Sequence, residues 1–468
     1  MATNDPREAQ QNIGVLVRLG ALVATFTFSV CLISWPGFMS FDSMYALRQA
    51  RTGIETGGYP PMVSYLWTLC EVLVPGQGGM FIVQNALVFL GVAALGRAIG
   101  AGEMRIALAM LLIACAPVTL GSMLVVWKDV SFAGLMALAY AFTLRYVERR
   151  QRAPLSLALL FLFLASSFRL NGIAAALPAL AVIAWTIGNA STPWSGPDAS
   201  HADAKAGWRK QLAASLLFLG LTASTFGFVT LTATWRLPDF GRIPMATGSG
   251  WTQVGDLIGI SLCAGRNLLP PSFYSGSMTL ARLEQIYHPE HSQRSFGSPP
   301  LLQESGFAGN DRLVDAAATT ARKEHLSCYL QHRARVFLHT MGANAGSVFY
   351  LTQADVFPGE SGTELKPSVL TTRAVSYIQH HDSSWFARSA FFALLAIGAL
   401  SAAGLCVDRS RPRKALLPVA GALTYLIASF FVLPAADARY NFWANLVFMV
   451  TFCCVLPGVA AKRIIAWP

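Results

Sequence analysis

Charge is scarce in this chain. Asp, Glu, Lys and Arg make up 13% of its 468 residues, against 54% hydrophobic residues, where a soluble domain carries about 25% charged residues. That imbalance excludes an ordinary soluble fold and points to a polytopic membrane protein. No Walker motif and no GxGxxG following a strand is present, and no inner loop is long enough to fold a nucleotide-binding domain. Zinc-ligand spacing is missing among the eight cysteines, as are internal repeats and low-complexity tracts. The first apolar stretch is long and lacks a small-residue cleavage pattern, so no cleavable signal peptide is expected.

What is present is a series of apolar runs of spanning length. Ten are expected to cross the bilayer as helices, near 19–36, 80–99, 106–126, 130–144, 155–168, 173–187, 212–234, 386–406, 416–433 and 442–460. Basic residues then set the orientation, because short cytoplasmic loops collect Lys and Arg. With the amino terminus inside, Arg7, Arg18, Arg97, Arg105, the run from Arg145 to Arg152, Lys205, Arg209, Lys210, the run from Arg409 to Lys414, Lys462 and Arg463 all fall inside. Short outer segments hold only Arg48, Arg51, Lys128, Arg169 and Arg439. Both termini are therefore expected in the cytoplasm. The net charge of +11 reads as positive-inside bias plus anionic-lipid contact, not as nucleic-acid binding.

The expected organisation is 1–234 with seven spans, an outer segment 235–385, and 386–468 with the last three spans. The apolar stretch 61–75 is not counted as a crossing, since doing so would throw the Arg145 to Arg152 run outside. It reads as a helix lying on the outer face, joined to a second one over 41–52 by the turn Gly57-Gly58-Tyr59-Pro60-Pro61, all within a first outer loop at 37–78.

The 235–385 segment reads as a mixed, mainly helical outer subdomain. Its first half is rich in Gly, Pro and Ser, as in Gly248-Ser249-Gly250 and Pro270-Pro271, which predicts irregular loop with short helices. Its second half predicts one helix from Asp311, as N-cap, toward Met341. On that helix His325, His332 and His339 share a stripe with steps of about 10 Å, too far apart to share a metal; they are expected to face water or headgroups. His380-His381-Asp382 offers metal ligands only as one short cluster. Cys263 and Cys328 are the only cysteines in this segment. They are either a disulfide, which an outer compartment permits, or two free thiols.

The out-of-place ionisable groups Asp42, Lys128, Asp129, Arg169, Asp437 and Arg439 all fall at one face. Asp42 opens the 41–52 helix, either as its N-cap or as a general base at the membrane–water boundary. Trp127-Lys128-Asp129 is either a loop with a local ion pair or a phosphate-binding Lys128 beside an orienting Asp129. Arg169 and Asn171 lie between two short spans, where a charge is costly unless it snorkels, is paired or is useful. Asp437-Ala438-Arg439-Tyr440 is a self-contained salt bridge or an anion site. Basic groups gathered on one surface suit an anionic lipid headgroup such as a phosphate. Nucleotide-activated donors are not normally available outside the cytoplasm, so an activated group would arrive there on a lipid carrier.

These residues resemble the GT-C superfamily of integral-membrane glycosyltransferases. The resemblance is carried by Phe41-Asp42-Ser43-Met44-Tyr45, Tyr59-Pro60-Pro61, Trp127-Lys128-Asp129, Arg169-x-Asn171-Gly172, the large outer segment after the seventh span, and Asp437-x-Arg439-Tyr440. It implies a bacterial inner-membrane enzyme with an extracytoplasmic site, a polyprenyl-phosphate sugar as donor, and an envelope glycan or glycolipid as acceptor. It also implies Asp42 as base of an inverting displacement, with Asp129 as the second catalytic carboxylate. Arg439, Lys128 and Arg169 would hold the donor phosphate, supported by Tyr45, Tyr59, Asn171, Asp437 and Tyr440. Many members carry a second acid beside the first-loop Asp and a His before the Pro-Pro. Here those positions are Ser43 and Tyr59, so no cofactor is firmly implied and a divalent metal stays open. The alternatives are a polysaccharide polymerase or ligase using a lipid-diphosphate donor, a transporter of lipid-linked sugars, and a scaffold protein.

Overall fold

A computed structural model describes residues 6–53, 60–169, 171–188, 207–234, 248–274, 277–287, 311–343, 366–405 and 410–456. Apart from one isolated bridge, every regular element among them is helical. In chain order the helices are α1 (Pro6–Ser34), α2 (Phe41–Thr52), α3 (Pro61–Leu73), α4 (Gly78–Ile99), α5 (Glu103–Cys115), α6 (Pro117–Met123), α7 (Lys128–Arg149), α8 (Arg152–Phe168), α9 (Gly172–Gly188) and α10 (Gly207–Thr234). There follow α11 (Gly248–Ala264), α12 (Leu280–Ile286), α13 (Asp311–Glu324), α14 (Leu326–Thr340), α15 (Val369–His380), α16 (Ser389–Gly404), α17 (Ser410–Val432) and α18 (Phe442–Val455).

The chain is an all-α, multi-pass membrane protein. Helices α1, α4, α7 and α17 are each long and apolar enough to cross a bilayer, and α8, α9, α10 and α16 contribute shorter apolar helices. The expected third span is not straight. It breaks into α5 and α6, which are bent by 75°, because Pro117 has no N–H to continue the ladder. The hydroxyl of Thr119 donates to the Ile113 carbonyl at 2.6 Å. The bend matters because α6 leads directly into the segment 124–127 that frames the candidate site.

Helix α7 runs through the middle of the bundle, buried along most of its length. It meets α4 at a backbone-to-backbone contact that two glycines allow. A Cβ on Gly134 would sit 2.5 Å from the Leu87 carbonyl carbon, and one on Gly91 would sit 2.7 Å from the Gly134 oxygen. In α9, Pro178 leaves the Ala174 carbonyl without its helical donor. Thr424 of α17 takes that carbonyl at 2.8 Å, and Tyr140 of α7 takes the neighbouring Ala175 carbonyl at 2.5 Å. A helix irregularity thus becomes a three-helix junction.

Outside this bundle α2 and α3 lie side by side. Ser64 and Thr68 donate to the carbonyls of Ala46 and Ala50 at 3.1 and 3.2 Å, and Arg51 pairs with Glu71. The far side of α3 leaves Tyr65, Leu69, Val72 and Leu73 exposed, as on a helix seated against a membrane surface.

Helices α11 to α14 build a second, smaller core around Leu257, Ile260, Phe273, Leu283 and Val314. Three expectations change here. Gly248-Ser249-Gly250 opens a 17-residue helix and not a loop. The expected helix from Asp311 to Met341 breaks at His325, which has φ −128° and ψ 50°. The histidine stripe is not uniformly exposed either. His332 is buried, with its Nε2 3.4 Å from Asp256 and its Nδ1 3.0 Å from the Tyr287 hydroxyl. Burial lowers the His332 pKa, outweighing the opposing pull of Asp256. Cys263 and Cys328 are joined as a disulfide that ties the end of α11 to the first turn of α14.

Candidate active site at the helix ends

The backbone assembles the site before any functional side chain does. Phe38 and Val125 form a parallel bridge, through Phe38 N–H to Leu124 O at 2.8 Å and Val126 N–H to Phe38 O at 3.0 Å. Gln84 of α4 locks this bridge from below. Its amide donates to Val125 O at 2.8 Å and its oxygen accepts from Trp127 N–H at 3.0 Å. The Trp127 indole donates to Ser40 Oγ at 2.8 Å, and Ser43 Oγ donates to Val126 O at 2.6 Å. The residues after α1 are thereby stitched to those before α7, which brings Asp42 to the same cavity as Lys128.

Asp42 does not cap α2. Ser40 is the N-cap, forming a capping box with Ser43. With the cap supplied by serine, the Asp42 carboxylate is directed elsewhere: it pairs with Arg439 Nη1 at 2.7 Å. The same guanidinium binds Asp437 through Nε at 2.9 Å, so the turn between α17 and α18 is not a self-contained pair. Arg439 also lies over the Trp127 ring at 4.7 Å and near the Tyr440 ring at 5.2 Å. One buried arginine thus joins the start of α2, the 124–127 segment and the turn between α17 and α18.

Asp129 pairs with Arg169 across the turn between α8 and α9. Arg169 is buried, so it does not snorkel. Its Nε donates to Asn171 Oδ1 at 2.7 Å, and its guanidinium stacks on Tyr440 at 4.8 Å with Tyr425 at 5.7 Å. The Tyr425 hydroxyl in turn holds the Tyr440 carbonyl at 2.9 Å. Tyr440 is therefore a shared aromatic wall between Arg169 and Arg439. Lys128 and Asp42 face a small cavity of about 10 Å³ under α2 and α3, with Pro60 and Trp67 on its far side. That is room for about one water. Tyr45 lies one turn along α2 from Asp42. Tyr59 lies outside the described residues.

The two groups on the last turn, which lies between spans, respond in opposite ways to burial. Burial raises the Asp437 pKa to about 6, and Arg439 only partly counters this. Burial also works to lower the Arg439 pKa, but Asp42 and Asp437 together outweigh it and raise it well above its ordinary value. Asp42, Asp129 and Asp437 thus each face a guanidinium. Among the described residues no group of three or more His, Cys, Asp or Glu is arranged to hold a metal ion.

Six of the residues singled out in the sequence, Asp42, Asp129, Arg169, Asp437, Arg439 and Tyr440, meet here, with Asn171 and Lys128 at the edge. The sequence did not mark Tyr425, buried within an apolar helix, or Gln84 and Ser40, whose roles depend on segments far away in the chain. A second buried charge cluster, Asp256 with Arg322, His332 and Arg333, was also unmarked, because Asp256 sits singly in a glycine-rich stretch.

No family model matches the chain, and no curated protein sequence does. Among solved structures, the chain is similar to the oligosaccharyltransferase AglB from Archaeoglobus fulgidus, in complex with an inhibitory peptide and a dolichol-phosphate. The identity is 15% and the TM-score 0.42, over 93% of this chain and 50% of that one, so the chain spans about half the length of AglB. It is also similar to ArnT from Cupriavidus metallidurans bound to undecaprenyl phosphate, at 16% identity and a TM-score of 0.33, over 94% of this chain and 77% of that one.

Proposed function

We propose that this protein is a GT-C-type membrane glycosyltransferase. It moves a sugar from a polyprenyl-phosphate donor to a hydroxyl of an envelope glycan or glycolipid at the extracytoplasmic face of a bacterial inner membrane. The observation that carries this reading is the Asp42–Arg439 pair at 2.7 Å. It sets a carboxylate at the start of a surface helix against a buried guanidinium from the last outer turn, so a base and an anion-binding group converge at one membrane boundary.

In the proposed reaction Asp42 takes the proton of the acceptor hydroxyl, whose oxygen attacks the anomeric carbon. The bond from that carbon to the phosphate oxygen breaks, its electron pair leaves with polyprenyl phosphate, and the configuration inverts. Negative charge grows on the leaving phosphate, and fixed cations are what stabilise it. Arg439 is assigned that role first, with Lys128 and Arg169 behind it. Asp437 and Asp129 orient the two guanidiniums, and Tyr440 keeps them apart.

In the resting arrangement Arg439 is shared by two carboxylates. A donor phosphate competes for it, and each Arg439 contact it takes over restores basicity to Asp42. Binding of the donor and activation of the base are coupled in this way. Incubation of the protein in lipid with polyprenyl-phosphate hexoses and envelope glycolipids, followed by mass spectrometry, tests the reading. A one-hexose gain on the acceptor is expected; intact acceptor with every donor counts against it.

A further inference from the structure

Arg333 is buried to 1% exposure in α14 and reaches in two directions. Its Nη2 pairs with Asp256 at 2.7 Å, while its Nη1 donates to the carbonyl of Leu433 at 2.6 Å, just past the end of α17. Asp256 has no exposed surface and is also held by Arg322 at 2.8 Å. One turn earlier in α11, Thr252 donates to the Val432 carbonyl at 3.2 Å. Two turns further along α14, the Thr340 carbonyl accepts from Asn441 Nδ2 at 2.8 Å. The segment from 433 to 441 is therefore held near both ends by one helix, through the Leu433 carbonyl and the Asn441 side chain, across the roughly 10 Å that seven helical residues span. Arg439 lies inside the gripped stretch.

Replacing a buried ion pair by apolar side chains is often neutral or stabilising. A core that keeps Asp256 and Arg333 therefore gains little stability from the pair itself, and what the charges add is a fixed reach from α14 to a particular carbonyl. We infer that Arg333 is a positioning residue: held by Asp256, it makes α14 a strut that sets where the Asp437–Arg439 turn presents its guanidinium. The inference rests on the reading of Arg439 as the donor-phosphate ligand. It gives the outer unit a part in donor binding as well as whatever part it takes with the acceptor.

Arg333→Lys separates this role from folding. Its ammonium keeps a charge for Asp256, but on a shorter stem it cannot also serve the Leu433 carbonyl. Full-length protein in detergent is compared with wild type by amide hydrogen exchange and by transfer kinetics. The expected result is faster exchange, by about 10-fold, in peptides covering 433–441, with protection of α11 unchanged. Donor kcat/KM is expected to fall about 10- to 100-fold while acceptor KM holds. Unchanged exchange at 433–441 overturns the strut. Altered exchange with wild-type donor kinetics, or an acceptor KM that rises instead, overturns the positioning role. If wild type itself transfers no sugar, the transferase reading fails, and the exchange comparison still decides whether α14 holds the turn.

Discussion

Arg439 serves four neighbours at once, two carboxylates and two aromatic faces, which only a planar guanidinium can do. Arg439→Lys is therefore expected to fold yet to raise donor KM by about 10-fold or more, because a point charge cannot replace a fork at a phosphate; titration of turnover against donor concentration checks this. Asp437 supplies a pH test. Its carboxyl is raised to about 6 by burial, so it is charged at pH 7 and competes with the donor for Arg439. Below its pKa it is neutral, and Asp42 is left as the one carboxylate competing for Arg439. Wild-type donor KM is expected to fall as pH drops from 7 to 5, while Asp437→Asn shows a flat profile; equal slopes in the two proteins contradict the assignment. At this scale the sequence was informative about which residues stood out but not about their partners. Asp42, Asp129, Arg169, Asp437 and Arg439 are conspicuous because a charge beside an apolar run is costly. That Asp129 meets Arg169, forty residues away in the chain, follows from helix packing, which sequence proximity does not encode.

Helices were readable from the apolar runs, although among the described residues only α1, α4, α7 and α17 reach spanning length, and two short helices in place of a crossing were readable over 41–73 because the basic residues forbid a crossing there. Breaks were harder. Pro117 sits in an uninterrupted apolar run, and only the packed structure shows α6 turning off by 75°. Pro178 leaves α9 helical instead, because Thr424 satisfies the carbonyl it exposes. Thr424→Val is expected to cost about 1 to 3 kcal/mol by leaving that carbonyl unpaired, seen as a lower thermal midpoint in detergent, with Thr424→Ser restoring most of it. The α11–α14 core should be acid-sensitive for a local reason. His332 is buried with its pKa lowered by that burial. As pH falls below about 6.5, the unfolded chain takes up a proton that the folded imidazole resists, so stability present above that pH is progressively lost. Exchange in α11 and α14 is expected to speed up between pH 7 and 5 in wild type and less so in His332→Gln.

Across the whole molecule, the site is built from the start of α2, the 124–129 segment, Arg169 with Asn171, and the turn between α17 and α18, so no short fragment of the chain contains it. Its three carboxylates, Asp42, Asp129 and Asp437, balance Lys128, Arg169 and Arg439, and the donor phosphate would enter a neutral, partly buried cluster by displacing a carboxylate from a guanidinium. The disulfide offers a check on sidedness. Cys263 and Cys328 close a loop of 65 residues, which in the chain-entropy account adds about 4 kcal/mol and requires an oxidising compartment. Non-reducing peptide mapping of protein from native membranes is expected to find the cross-linked peptide, and free thiols at both positions would contradict an outer location. The central claim is that Asp42 is the base of a sugar transfer from a polyprenyl phosphate. Its most direct test is mass-spectrometric transfer by wild type beside Asp42→Asn of matching fold, in lipid, with the same donors and acceptors. The account predicts a one-hexose product for wild type and a loss of about 10²- to 10⁴-fold in the variant; undiminished transfer by Asp42→Asn would contradict it.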